Sequence, residues 1–292
     1  MEQDILSRIQ LGYPTFSKGQ KKIADYILAH YDKAAFMTAY KLGQMVSTSE
    51  STVVRFATEL GCEGYACFQK ELQEIIRNKL TAVQRMEVAD NQIGEQETLK
   101  MVMESDLSKI KQTMDEIDVD MFHRAVDVLV NARKIYILGA RSSAALAQFM
   151  GFYMNLLFKD VCMVGAASTS EVFEQIMRID EQDVMIALSF PRYSKRTVQA
   201  VQYAKSRGSN IVAITDSESS PINQYATHRL TARSDMASFV DSLVAPLSVI
   251  NALIVAIGMR KKEEVAETFE HLEHIWDEYE VYEKSRDAQE RK

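Results

Sequence analysis

Two groups of side chains in this chain have types and spacings that could do chemistry. The first lies in TAYKLGQMVSTSESTVVRFATELG, residues 38–61. There Ser49, Ser51, Thr52, Arg55 and Thr58 gather short hydroxyls and one guanidinium, while Val53, Phe56, Ala57 and Leu60 recur at i, i+3, i+4 and i+7 as one apolar stripe. Ser49 is placed to cap the first turn of this helix and Gly61 to end it. A helix buried on one side and set with small donors and an Arg on the other suits the major groove of DNA. An ordinary helical hairpin in a helical domain has the same pattern, so both readings stand at this level.

The second group sits at the ends of two apolar runs. KIYILGA (134–140) leads into Arg141, Ser142 and Ser143, and DVMIALSF (183–190) leads from Ser189 into Pro191, Arg192, Tyr193 and Ser194, then Lys195, Arg196 and Thr197. A phosphate is held by unpaired backbone N–H groups at a helix N-terminus, by hydroxyl donors and by a nearby cation, and both segments have these ingredients. Serine before a helix also caps it, so capping is the competing reading. Asp216 with Ser217, Ser219 and Ser220 reads as turn chemistry. His271 and His274 stand at i, i+3 among Glu267, Glu270 and Glu273, which reads as a solvated helix face because neither HExxH nor a cysteine partner accompanies them. No GxGxxG, P-loop or Ser/His/Asp set can be nominated.

The elements that must position these groups change character along the chain. The first part is helical: residues 4–10, 17–31, the hairpin at 38–61 and 65–79, with Ser17 and Gln20 spaced as a capping box. Periodicity weakens over 80–96, where Asp90-Asn91 and Gly94 suggest a linker. It resumes from Thr98 and again over 119–131. Beyond that, short apolar runs at 134–140, 161–165, 183–190, 210–216 and 228–232 alternate with helical patterns at 143–158, 170–178 and 194–206, then a long helix from Phe239. Buried strands alternating with helices predict a parallel sheet covered on both faces, an open doubly wound α/β domain whose ligands sit at the carboxyl ends of the strands. A last helix over 261–283 places Val265, Phe269, Leu272, Trp276 and Tyr279 on one seam, for packing against its own domain or against another subunit.

Size and charge fit this division. The 292 residues suffice for two domains, and 47% hydrophobic with 26% charged residues is ordinary for a globular protein. The apolar stretch at 243–259 is broken by Pro246, Ser248 and Asn251 and reads as a core helix rather than a membrane span. The opening MEQDILSRIQ has no basic segment followed by an apolar one, which predicts no signal peptide. Cys62, Cys67 and Cys162 are odd in number and lack CxxC spacing, which predicts reduced thiols in a cytoplasmic protein and no structural zinc site. The net charge of −7 divides unevenly. Residues 1–80 hold ten Lys/Arg against nine Asp/Glu, leaving 24 basic and 32 acidic residues of the total 34 and 41 for the rest. A near-neutral head makes few phosphate contacts per copy, so two heads per binding unit are expected.

Taken together, the segments FSKGQKKIADYIL (16–28), STSESTVVRFATELGCEGY (47–65), IYILGARSSAALA (135–147) and IALSFPRYSKRT (186–197) resemble the RpiR/MurR family of bacterial transcriptional regulators. The resemblance covers nearly the whole chain. It implies an N-terminal helix-turn-helix domain joined to a sugar-isomerase (SIS) domain that binds phosphosugars, with Ser49, Ser51, Thr52 and Arg55 approaching DNA. Two departures stand out. Many SIS sites read S-x-S-G-x-T where this chain has Ser189, Pro191, Arg192 and Ser194, and Arg141 stands where glycine is frequent. Glu171 resembles the position where SIS isomerases place a general base; here it could contact a sugar hydroxyl or favour the helix N-terminus.

The expectation is therefore an all-α helix-turn-helix domain (1–79), a linker (80–97) and a doubly wound parallel-sheet SIS domain with flanking helices (98–292). The expected protein is a cytoplasmic, non-enzymatic regulator that contacts an operator in double-stranded DNA through Ser49, Ser51, Thr52, Arg55 and Thr58. A phosphorylated sugar, held by Arg141, Ser142, Ser143, Glu171, Ser189, Arg192 and Ser194, modulates DNA affinity. A homo-oligomer, dimer or tetramer, is expected, with no cofactor, metal or membrane. The competing classes are a sugar-phosphate isomerase with an accessory helical domain and a phosphosugar-binding protein that acts through protein contacts.

Overall fold

The structure, a computed structural model, describes residues 4–79 (side chains up to Gln73), 83, 86, 98–165, 168–235 and 240–282. The expected linker at 80–97 lies outside these residues apart from Val83 and Met86. The chain forms two compact units, Met1–Leu107 with Asp235–Ser242, and Ser108–Ser234 with Leu243–Lys292.

The first unit is helical: α1 (Ile5–Gly12), α2 (Lys18–Ala29), α3 (Tyr31–Ala34), α4 (Ala39–Met45), α5 (Glu50–Glu59) and α6 (Tyr65–Lys79). Its starts are chemically marked. Asp4 accepts from Ser7 N at 2.7 Å, and Ser17 and Gln20 form the reciprocal capping box that the spacing predicts. The short α3 and a 3-10 turn at Tyr13–Thr15 have too few residues to show a period, and the sequence reading missed both. The core joins Ile5, Ile9, Ile23 and Ile27 to Leu42, Val53, Phe56, Phe68 and Leu72. Phe16 and Phe68 meet Phe56 edge-on, with centroids at 5.1 and 6.1 Å.

The second unit is built on a five-stranded sheet: β1 (Ile135–Gly139), β2 (Val161–Val164), β3 (Val184–Leu188), β4 (Asn210–Thr215) and β5 (His228–Thr231), in order β2-β1-β3-β4-β5 and parallel throughout. Between the strands run α9 (Ser143–Leu157), α10 (Thr169–Ile176) and α11 (Lys195–Ser206). Before the sheet come α7 (Thr98–Glu116), which belongs to this unit from Ser108 on, and α8 (Val119–Val130), and after it α12 (Val244–Arg260) and α13 (Lys262–Glu278). Alternate strand residues face opposite layers. Ile135, Ile137, Ile186 and Ile214 pack under α8, α9 and α12, while Tyr136, Leu138, Met185 and Ala213 pack under α10 and α11. Both faces are covered, as strands of nearly continuous hydrophobicity require.

Two expectations need correction. The helix expected from Phe239 starts at Val244, because Pro246 belongs in a first turn where its missing N–H costs nothing; Phe239 itself lies outside the described residues. It is a core helix, with Val249, Ile250, Leu253 and Ile257 buried, and no single described helix is long and apolar enough to cross a membrane. The last helix ends at Glu278, and no residue of it is buried. Its seam is only partly covered, with Phe269 and Tyr279 exposed. Residue 283, the expected end, lies outside the described residues.

Candidate nucleic-acid interface and ligand site

In the first unit, α4 and α5 are joined by a tight turn. Thr48 N donates to Gly43 O at 2.9 Å, and Ser47 takes a left-handed φ of 52°. A Cβ on Gly43 would stand 3.0 Å from Thr48 O and 3.3 Å from Glu50 N, so the turn closes only over a glycine. Ser49 caps α5 by accepting from Thr52 N at 3.3 Å, and its hydroxyl also meets Ser51 Oγ (2.9 Å) and Thr52 Oγ1 (2.8 Å). Gly61 ends the helix with a φ of +88°.

Val53, Phe56 and Ala57 are buried, as is Leu60, whereas Ser49, Ser51, Arg55 and Thr58 are exposed and Thr52 is half-buried. Arg55 Nε donates to Ser51 O (3.3 Å) and Thr58 Oγ1 to Val54 O (3.2 Å), which aligns both side chains along the helix. The segment before α4 is pinned by residues that sequence reasoning missed. Tyr65 Oη and Gln69 Nε2 both donate to Met37 O at 2.9 Å, and Gln73 Nε2 to Ala35 O at 2.9 Å. Burial pushes the Tyr65 phenol up to about 12, so it stays a donor. Nothing in the spacing of polar residues on α6 announces these backbone contacts.

In the second unit, order β2-β1-β3 makes the gap between β1 and β3 the place where successive connections leave in opposite directions, the topological switch point of an open sheet. Gly139 pairs with Leu188 in register, so the segments 140–143 and 189–194 leave the sheet side by side. β2, which pairs with the other edge of β1, leads to Glu171 in the first turn of α10. The three loops that carry all seven expected ligand residues thus start from three adjacent strands.

Each loop has its own chemistry. A Cβ on Gly139 would be 2.5 Å from Ser143 O, so glycine lets α9 begin directly against the strand end. Ser142 makes no capping bond, and Ser143 is buried. The N–H groups of Ser143, Ala144 and Ala145 donate to Ala140, Arg141 and Ser142 carbonyls. These three N–H groups of the first turn are therefore paired, and the side chains of Arg141 and Ser142 are exposed at the loop. In the second loop Ser194 caps α11, accepting from Thr197 N at 3.4 Å. Ser189 is buried, with its N–H on Ile214 O (3.1 Å) and its carbonyl accepting from Thr215 Oγ1 (2.6 Å). Thr197 Oγ1, in the first turn of α11, is buried without a hydrogen-bond partner. Tyr193 Oη reaches Asp216 Oδ1 at 2.8 Å and ties this loop to the one after β4. Ser217 and Ser219 meet each other at 3.0 Å, and Ser220 meets Thr215, as turn chemistry would have them.

Arg141 and Arg192 share one unusual feature. Both are exposed, and both have left-handed backbone, with φ of 58° and 56°. Glycine adopts this conformation without strain and arginine does not. Glu171 is exposed; its N–H donates to Ser168 Oγ at 3.2 Å. His271 and His274 are exposed on α13.

A helix-turn-helix unit with a capped, exposed second helix, followed by a doubly wound domain with hydroxyl loops at its switch point, defines a two-domain regulator. Comparison with known proteins agrees. The profile of the rpiR-family helix-turn-helix domain matches residues 3–79, and that of the SIS domain matches residues 128–256. An uncharacterised helix-turn-helix transcriptional regulator of Haemophilus influenzae is 26% identical over 90% of this chain and 92% of its own length. The regulator HexR of Escherichia coli is 27% identical over 88% and 89%. The sugar isomerase domain of an RpiR transcription factor from Sphaerobacter thermophilus superposes with a TM-score of 0.58 at 27% identity, covering 61% of this chain and 99% of that one. The Vibrio vulnificus NanR protein, solved in complex with ManNAc-6P, shares the fold with a TM-score of 0.57 at 23% identity, over 93% and 99%. The chain belongs to the RpiR family and is a helix-turn-helix transcriptional regulator with a SIS domain.

Proposed function

We propose that this regulator binds an operator in double-stranded DNA through α5 and senses a phosphorylated sugar at the β1/β3 switch point, without catalysing a reaction. Residues 1–79 are the DNA-binding domain, 80–97 the linker and 98–292 the sensor. Ser49, Ser51, Thr52, Arg55 and Thr58 contact DNA: the hydroxyls and the N-terminus of α5 suit phosphates, and Arg55 suits a guanine edge. The observation that carries the sensor reading is the adjacency of the two hydroxyl loops at the switch point, each with an exposed arginine on left-handed backbone.

Ser142, Ser143, Ser189 and Ser194 supply hydroxyls, and Arg141 and Arg192 supply charge. Glu171 orients a sugar hydroxyl, and the relatives named as transcriptional regulators favour sensing over isomerisation. The binding of ManNAc-6P by NanR, a protein of the same fold, supports a phosphosugar as the ligand class.

Pairing of two heads would supply the phosphate contacts that one near-neutral head lacks. The support for a homo-oligomer is apolar surface. In the second unit Ile110 and Met114 on α7 are exposed, as are Val255 and Met259 on α12. An apolar cleft of about 350 Å³ opens between α7, α8 and α12, lined by Ile110, Met114, Ile117, Phe122, Val249 and Ala252. Such a protein works in the cytoplasm.

The reading is tested by calorimetry with sugar phosphates and by DNA retention. Ser189→Ala and Ser194→Ala should each lose most sugar-phosphate affinity and keep DNA binding. Arg55→Ala should do the reverse, weakening DNA binding by about 1–3 kcal/mol. Full ligand affinity in both serine variants removes the β3 loop from the site, and unchanged DNA affinity in Arg55→Ala removes α5 from the groove.

A further inference from the structure

Behind α5, in the first unit, three side chains that neither proposed site uses come together. Cys62 follows Gly61, and its Sγ lies 3.4 Å from Glu71 Oε1. Cys67, on α6, places its Sγ 3.8 Å from the same oxygen. All three donor atoms lie within 4.8 Å of one another, and no other group of three or more His, Cys, Asp or Glu does so among the described residues. The three cysteines lack the CxxC spacing that marks a zinc site in sequence. The turn after α5 nevertheless folds Cys62 back onto the first two turns of α6.

The distances match a coordination polyhedron. With metal–sulfur bonds of about 2.3 Å and metal–oxygen bonds of about 2.0 Å, the edges of a tetrahedral site are roughly 3.5–3.8 Å. The two sulfur-to-oxygen separations already have nearly this length. Glu71 keeps its other oxygen, Oε2, on the Arg8 guanidinium, and Arg8 Nη1 donates to Leu60 O at 2.6 Å. An outer partner of this kind orients a ligating carboxylate.

The charges also balance. Two thiolates and Glu71 around a divalent cation, with Arg8 beside them, make a neutral cluster, and so do two thiols with the Arg8–Glu71 pair. Burial and the neighbouring Cys67 push the Cys62 thiol up, against the opposing pull of Arg8. Sulfur donors select Zn²⁺ over Mg²⁺ or Ca²⁺.

We infer that Cys62, Cys67 and Glu71 form a Zn²⁺ site with one coordination position open, stapling the end of the recognition helix to α6. Binding releases the two thiol protons and fixes Cys62 against the helix whose Phe68 packs on Phe56 of α5.

The test uses the full chain, kept reduced with a non-thiol reductant and titrated with Co²⁺, then Zn²⁺. One Co²⁺ per chain should bind with the thiolate charge-transfer and ligand-field bands of a tetrahedral centre, and Zn²⁺ should displace it. Cys67→Ser, at a half-exposed position, and Cys62→Ser should abolish the charge-transfer band. Glu71→Gln should weaken Zn²⁺ binding by at least about tenfold against a chromophoric chelator. Cys162→Ser, on β2, should behave as the parent. Zn²⁺ should raise the melting temperature of the parent and not of Cys67→Ser, whose metal-free melting should match that of the parent. No stoichiometric binding, a cobalt spectrum without thiolate bands, or equal affinity in Cys67→Ser overturns the site.

Discussion

Arg141 and Arg192 are the residues at which local conformation and proposed chemistry pull in opposite directions. Each occupies a left-handed backbone position that glycine fills without strain, at a cost of roughly 1 kcal/mol or more. In the proposed sensing role, a guanidinium at the loop tip adds charge that glycine cannot. Arg192→Gly should therefore leave the melting temperature unchanged or raise it, while sugar-phosphate affinity by calorimetry falls about tenfold or more. A variant that melts lower and binds as tightly would show that Arg192 serves the fold instead. Much at this scale was legible in sequence. Ser17, Ser49 and Ser194 cap helices where their spacing puts them, because capping depends on atoms within three residues. The backbone contacts of Tyr65 and Gln69, the orphaned Thr197 hydroxyl and the Cys62–Cys67–Glu71 cluster were not legible, because each depends on how the chain turns back on itself.

Among the elements, α5 bears the strongest constraint from both sides. Its apolar stripe is the centre of the head's core, with Phe56 fully enclosed between Phe16 and Phe68. Phe56→Ala should destabilise the first unit by about 3–5 kcal/mol through lost burial and a residual cavity, measured by denaturant unfolding. Parent-like unfolding would mean that the buried and DNA-facing sides of α5 are reversed. The strands were legible because a doubly covered parallel strand is a short continuous apolar run bounded by glycine and polar residues, as β1, β3 and β4 are. Their order was not, since nothing local distinguishes β2-β1-β3 from β1-β2-β3. That order turns two capping-like serine loops into neighbours. The start of α12 and the length of α13 were misjudged for the reason that element boundaries generally are: the apolar period continues past the residues that are helical.

For the whole molecule, the proposal is that one chain couples two binding events and that a second copy doubles the DNA contacts. If the pairing surface is the exposed apolar face of the sensor, deletion of residues 1–96 should leave a homo-oligomer that still binds sugar phosphate and no longer binds DNA. Light scattering that finds this fragment monomeric at micromolar concentration, with the full chain dimeric, would move pairing into the head. The central claim is the coupling itself, and thermodynamic linkage makes it testable in both directions, since a ligand that changes DNA affinity by a given factor must have its own affinity changed by the same factor when DNA is bound. The decisive measurement is a pair of titrations on the full chain with an operator fragment and a sugar phosphate chosen by thermal-shift screening: DNA affinity at zero and saturating sugar phosphate, and sugar-phosphate affinity at zero and saturating DNA. The account predicts equal factors, of about 5–150-fold for a coupling of roughly 1–3 kcal/mol. DNA affinity that does not change at saturating sugar phosphate would contradict it.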